Sequence, residues 1–235
     1  MERKVYFVGA GPGDKELLTL RAYKLLKEAD LIIYPGSLID ESFLEEFPGK
    51  KVNSYGKKLE EIVDIITSAV EEGKKVVRLQ SGDPSIYGAI NEQIRELEKR
   101  GVEVEIVPGV SSVFASASAL KIELTSPECP SVVITRPAGK TLEKDEIEEF
   151  AKTNSTIVVL LGVDKIREVA EKVATHRGYD EPAAVVYRAS RSDQKVIVGT
   201  LGDIAEKVER EGIKRTATII IGKSLKREGR SILYA

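Results

Sequence analysis

The chain has 235 residues, 42% hydrophobic and 31% charged, enough for one large domain or two small ones around a sizeable core. A formal charge of -2 provides no basic field for nucleic acid, and one cysteine (Cys129) with one histidine (His176) argues against a disulfide framework, a zinc site, a metal centre of any kind or a histidine-based triad. No apolar run approaches membrane-spanning length and the start, MERKVYFVGAG, reads as strand and turn instead of a signal peptide, so a cytoplasmic enzyme or binding protein is expected.

Residues 4–8 are β-branched and alternating, a strand, followed by the glycine turn Gly9-Ala10-Gly11-Pro12-Gly13-Asp14. Leu17, Leu18, Leu20, Leu25 and Leu26 predict a helix ending near Asp30, then a buried strand over 31–34, a short helix over 40–47 and a strand over 51–54. Leu59, Ile62, Val63, Ile66 and Val70 recur at helical spacing up to Gly73; strands over 75–80 and 102–107 bracket a helix that stops at Gly101. This alternation predicts a mostly parallel sheet covered on both faces. Residues 111–120, SSVFASASAL, predict a helix of small side chains, and the two prolines of 125–130 a linker. Beyond it lie strands over 131–136, 156–161, 183–187, 195–199, 217–221 and 231–234, with helices near 143–152, 164–176 and 202–211. The short polar loop between 183–187 and 195–199 reads as a hairpin, which makes the second sheet mixed. The expectation is two α/β lobes with a ligand cleft between them: residues 1–112, a connecting helix and linker over 113–130, and residues 131–235.

Within this layout Gln80 to Gly88, QSGDPSIYG, lies at the carboxyl end of a strand, where open α/β sheets bind ligands. Gly82 permits close backbone approach, and Asp83-Pro84 reads either as a helix N-cap with proline at the first helical position or as a site carboxylate. The amino-terminal G-x-G turn resembles a dinucleotide fingerprint, with Asp30 at the expected distance, but its third glycine comes one position early. Asp14 also stands where the helix N-terminus would receive a pyrophosphate, so phosphate would meet like charge. The full phosphate-loop pattern G-x-x-x-x-G-K-[ST] is absent: GKT at 139–141 and GKS at 222–224 lack its leading glycine.

GAGPGD at 9–14, SGDPSIYG at 81–88 and VPGVSSVFA at 107–115, in this order and spacing, resemble the tetrapyrrole methylase family over nearly the full length. The resemblance implies two α/β lobes with S-adenosylmethionine as the methyl donor in the cleft, a tetrapyrrole substrate and a homodimer. Carried over residue by residue, donor contacts fall on Pro12, Ser81, Gly82, Asp83, Ile86, Ser111 and Ser112, and in the second lobe on Leu161 and Ala189. The stretches at 87–93, 105–115, 123–125 and 133–139 are nearest to members that methylate carbon 11 of (cobalt-)precorrin-4 in cobalamin biosynthesis. Uroporphyrinogen-specific members carry an Asp after the tyrosine of the second strand; here Tyr34 is followed by Pro35, so no catalytic residue is assigned.

Methyl transfer from a sulfonium to an electron-rich carbon needs alignment and water exclusion more than acid–base groups, in keeping with the scarcity of His and Cys. The substrate's carboxylates call for cationic side chains, for which Arg136, Lys140 and Arg188 lie in loops or at strand ends, as do Lys57, Lys58 and Arg191. Other readings remain: another corrin-ring methylase, a diphthine synthase, a nucleotide-dependent dehydrogenase, or a non-catalytic binding module.

Overall fold

The computed structural model describes residues 3–227, which form two compact units, one up to Ser112 and one from Val113 onward. The strand expected over 231–234 lies outside the described residues.

The first unit is built on a five-stranded sheet of order β3-β2-β4-β1-β5: β1 (Lys4–Gly9), β2 (Leu31–Tyr34), β3 (Lys50–Asn53), β4 (Val76–Gln80) and β5 (Glu103–Val107). All four pairings are parallel, so every strand delivers its chain to the same edge. Parallel strands need covered faces, and the apolar pattern supplies them. Val8, Ile32, Val77 and Leu79 pack against α1 (Leu20–Glu28) and the Phe43, Leu44, Phe47 cluster. Val5, Phe7, Ile33 and Val76 pack on the opposite face against α2 (Leu59–Glu71) and α3 (Ile90–Lys99).

The second unit carries a mixed sheet of order β6-β7-β10-β8-β9: β6 (Val132–Thr135), β7 (Thr156–Val159), β8 (Pro182–Tyr187), β9 (Lys195–Thr200) and β10 (Ala217–Ile221). Only β6 and β7 are parallel neighbours; β8 and β9 form the hairpin read from the sequence. Ile157, Val159, Val185, Ile219 and Ile221 face α5 (Ile147–Ala151), α6 (Ile166–Arg177) and α7 (Ile204–Arg210). Val158, Ala184, Val186 and Ile220 face α4 (Ser112–Leu120), whose Val113, Ala115, Ala117 and Leu120 are small enough to lie close to the strands. Among the described residues no helix is long and apolar enough to cross a membrane.

Three local readings are corrected. Asp14 does not cap the first α-helix: its carboxylate accepts from Glu16 N at 2.9 Å and caps a single 3-10 turn, Lys15–Leu17. The α-helix starts later, where Thr19 Oγ1 accepts from Ala22 N at 3.1 Å. The helix expected over 40–47 is a 3-10 turn, Glu41–Leu44. Asp83-Pro84 does not begin a helix either, because α3 starts at Ile90, behind Ala89 in the left-handed region.

Candidate functional site

Strands β4, β1 and β5 are neighbours, and the loops that follow them meet where three glycines remove the side chains that would keep them apart. A Cβ on Gly9 would stand 2.6 Å from Gly109 Cα and 2.7 Å from Gly82 O; one on Gly109 would stand 2.4 Å from Gly82 O. Beyond this crossing Gly11 and Gly82, both at positive φ (71° and 64°), form an antiparallel bridge. Gly82 N donates to Gly11 O at 2.8 Å, and Gly11 N donates to Gly82 O at 3.2 Å. The glycine turn is therefore spent on loop-to-loop contact within this unit.

Asp83 ties the same loops together. Its Oδ2 accepts from Gly109 N at 2.8 Å, and its Oδ1 accepts from Ser85 N at 2.8 Å and from Ser85 Oγ. Partial burial pushes this carboxyl up, but the hydrogen bonds from Ser85 Oγ, Gly109 N and Ser85 N outweigh it and hold the group below the usual carboxylate range. The N-cap reading of Asp83 thus changes. Asp83 is a cross-loop tether that keeps its charge, with both oxygens already engaged.

Around this junction the expected first-unit residues come together in sequence-distant loops. Pro12 and Gly82 are buried, Ser81 and Ile86 are half-buried, and Ser111 and Ser112 sit at the start of α4, Ser111 buried. No Lys, Arg or His occurs in residues 9–14, 81–88 or 108–112. These loops offer main-chain groups and hydroxyls and no cationic side chain, which suits a neutral or cationic ligand better than a pyrophosphate. The loop after β4 is itself wound against steric preference, since Tyr87 (φ 52°) and Ala89 (φ 48°) are both left-handed and a Cβ on Gly88 would stand 2.3 Å from Pro84 O.

In the second unit β8 runs parallel to β7, because both are antiparallel to β10. The carboxyl ends of β6, β7 and β8 therefore share one edge, which brings Arg136, Leu161, Arg188 and Ala189 to that edge. Leu161 (φ 53°) and Arg188 (φ 47°) are left-handed; Leu161 is exposed and Ala189 buried. Arg136 donates to Thr141 Oγ1 and to Thr141 O, both at 2.9 Å, within its own loop. Arg188 pairs with Asp193 at 2.8 Å, and Lys140 is exposed. Asp145 anchors the Arg136 loop, accepting from Ala138 N at 2.8 Å, Lys172 Nζ at 3.0 Å and Ile147 N at 3.2 Å. Among the described residues no three His, Cys, Asp or Glu side chains group as a metal site.

Residues 4–205 match the family described as Tetrapyrrole (Corrin/Porphyrin) Methylases. The chain belongs to the tetrapyrrole methylase family. Among relatives of this family it is 54% identical over 230 residues to the cobalt-precorrin-4 C(11)-methyltransferase of Methanocaldococcus jannaschii, covering 95% of this chain and 88% of that protein. The X-ray structure of a cobalt precorrin-4 methyltransferase of cobalamin biosynthesis superposes with a TM-score of 0.90 at 38% identity, covering 95% of this chain and 96% of that one. A Thermus thermophilus uroporphyrin-III C-methyl transferase complexed with S-adenyl homocysteine superposes with a TM-score of 0.82 at 34% identity, covering 96% of this chain and all of that one. The α/β architecture of one parallel and one mixed five-stranded sheet is thus that of a tetrapyrrole methylase.

Two features of this methylase escaped the sequence reading. Arg78 and Gln93 are each about 5% exposed and bonded to one another at 3.0 Å. A charged residue inside an apolar strand was the available signal. After Tyr34 and Pro35 the chain makes a turn held by Asn53 Oδ1, which accepts from Gly36 N at 3.0 Å and Tyr55 N at 2.8 Å.

Proposed function

We propose that this chain transfers a methyl group from S-adenosylmethionine to carbon 11 of (cobalt-)precorrin-4 in cobalamin biosynthesis. The observation that carries the reading is 54% identity to a relative of that activity over 95% of the chain. A relative described as a uroporphyrinogen III methyltransferase, from Methanosarcina barkeri, is 38% identical over a similar span. The higher identity, and Pro35 where an Asp would stand, favour carbon 11 of the corrin precursor.

The donor supplies an activated methyl on a sulfonium, so the protein's part is to bind, align and keep out water. In this reading Pro12, Ser81, Gly82, Ile86, Ser111 and Ser112 line the donor site of the first unit, and Leu161 and Ala189 are donor contacts of the second. Asp83 acts through Gly109 by fixing the loop junction. The absence of a basic side chain from the three loops favours a positively charged donor over a phosphorylated cofactor. Arg136, Lys140 and Arg188 are read as partners of the tetrapyrrole carboxylates, with Arg136 presented by the loop that Asp145 anchors. A homodimer is carried from the family resemblance; sedimentation at twice the chain mass is the expected result.

Calorimetry separates the donor reading from its nucleotide rival. S-adenosylhomocysteine is expected to bind saturably with one site per chain, and NAD is expected to give no heat of binding. Saturable NAD binding with none for S-adenosylhomocysteine would overturn the reading.

A further inference from the structure

Arg78 stands in the middle strand of the parallel sheet, three residues before the 81–89 loop, and Gln93 stands in the first turn of α3, four residues after it. Arg78 Nε donates to Gln93 Oε1 at 3.0 Å, and Gln93 Nε2 donates to Ala89 O at 3.0 Å. Ala89 is the left-handed residue on which the loop turns into the helix. The other acceptors of Arg78 are two main-chain oxygens, Ile33 O and Leu79 O, each at 3.4 Å. Among the described residues no carboxylate pairs with it, and burial alone draws the guanidinium down to about 10, still charged at neutral pH.

A buried cation without a counter-charge is costly, and an apolar side chain of similar size would fill the same space with less penalty. What the charge adds is direction. A guanidinium has only donors, so it obliges Gln93 to turn its oxygen towards β4 and its NH2 towards Ala89. The cation also polarises the amide and strengthens its bond to Ala89 O. We propose that Arg78 and Gln93 form a positioning clamp that holds the 81–89 loop in its wound shape from both ends, and thereby sets the affinity for the methyl donor without touching it. This rests on the donor reading of that loop.

The test uses Gln93→Glu and Gln93→Met in the full chain. Glu keeps and strengthens the bond from Arg78 but cannot donate to Ala89 O; Met removes both bonds without adding charge. Expected for Gln93→Glu are a melting temperature at or above that of the parent, at least tenfold faster amide hydrogen exchange over residues 87–93 in the ligand-free protein, and at least a fivefold higher Kd for S-adenosylhomocysteine. Gln93→Met should show the same two loop effects. A merely structural pair would move only the melting temperature, so either variant with exchange and Kd both within twofold of the parent overturns the clamp. Failure of the parent itself to bind S-adenosylhomocysteine would overturn the donor reading instead. In that case faster exchange in the variants would still support the clamp on loop shape, and parent-like exchange would overturn it.

Discussion

The loop over 81–89 in the first unit meets its neighbours main chain against main chain, with Asp83 and the Arg78–Gln93 pair as added ties, whereas the loop over 136–146 in the second is held by charged side chains. In the first, Gly9, Gly82 and Gly109 meet without side chains, and one carboxylate, Asp83, stitches the contact. In the second, the Asp145 side chain is only 4% exposed and gathers two backbone amides and Lys172, while Lys165 Nζ donates to Ala138 O. The first loop presents no cationic side chain; the second carries Arg136 and Lys140. Steric apposition fixes geometry at any pH and salt but tolerates no added atom. Ionic tethers tolerate substitution in small steps and answer to pH and ionic strength. A methyl donor that must be aligned closely fits the first design. A substrate carrying several carboxylates fits the second.

The largest expected effect comes from adding one atom to the steric junction. Gly109→Ala places a methyl 2.4 Å from Gly82 O and 2.8 Å from Gly9 Cα, backbone atoms that cannot swing aside. Overpacking of this kind costs about 3 kcal/mol, roughly 6–12 °C of melting temperature in a chain of this size. Calorimetry should show at least a tenfold loss of S-adenosylhomocysteine affinity. Parent-like melting and binding would mean that the three loops are not in contact in solution.

Asp83→Ala comes next. It strands Gly109 N, at a cost of about 1–3 kcal/mol, and should weaken donor binding while leaving tetrapyrrole affinity less affected. Because the folded-state pKa of Asp83 is lowered, its contribution is present above the unfolded carboxylate range and is lost as pH falls through the folded value. The gap in melting temperature between the parent and this variant should therefore close in strong acid. A variant that melts lower yet binds S-adenosylhomocysteine as tightly as the parent would reduce Asp83 to a loop stitch without functional consequence.

These two residues also show what could be read beforehand. The strands and helices announce themselves because their apolar residues recur at a fixed period within a few residues of each other. The junction does not, because the Asp83 to Gly109 bond spans 26 residues and depends on which strands become neighbours. The same holds for Arg78 and Gln93, which lie on different elements. Asp14 misled in a simpler way. The chain stops its first turn at Leu18, so the cap belongs to a 3-10 turn, and Thr19 starts the α-helix. The candidate site residues are legible only through the family resemblance, because periodicity cannot say which strand ends share an edge.

Smaller effects are expected in the second loop. Asp145→Asn should cost about 1–2 kcal/mol, raise KM for the tetrapyrrole and leave the Kd of S-adenosylhomocysteine unchanged. Burial pushes Asp145 up, but Ala138 N, Lys172 and Ile147 N bring it below its ordinary value. For Lys172, burial pulls down, but Glu168 and Asp145 raise it overall. The carboxylate's contribution is thus lost as pH falls through its lowered value. The ammonium's is lost as pH rises through its raised value. Steady-state KM across pH and salt checks this: the parent should hold a plateau between those limits, and the variant should lose the acid-side dependence. Smallest of all in stability is Arg136→Ala, with a change within about 0.5 kcal/mol for a half-exposed side chain, but with a several-fold rise in KM for the tetrapyrrole alone. If both substitutions disturbed donor affinity instead, the division of labour between the two loops would be wrong.

The measurement that bears most directly on the account is the position of the transferred methyl. The enzyme is incubated with S-adenosylmethionine labelled with carbon-13 in its methyl group and with (cobalt-)precorrin-4, and the product is located by NMR. A single labelled methyl on carbon 11 is the expected result. Label on carbon 17 or carbon 20, or transfer to uroporphyrinogen with none to the corrin precursor, would contradict it.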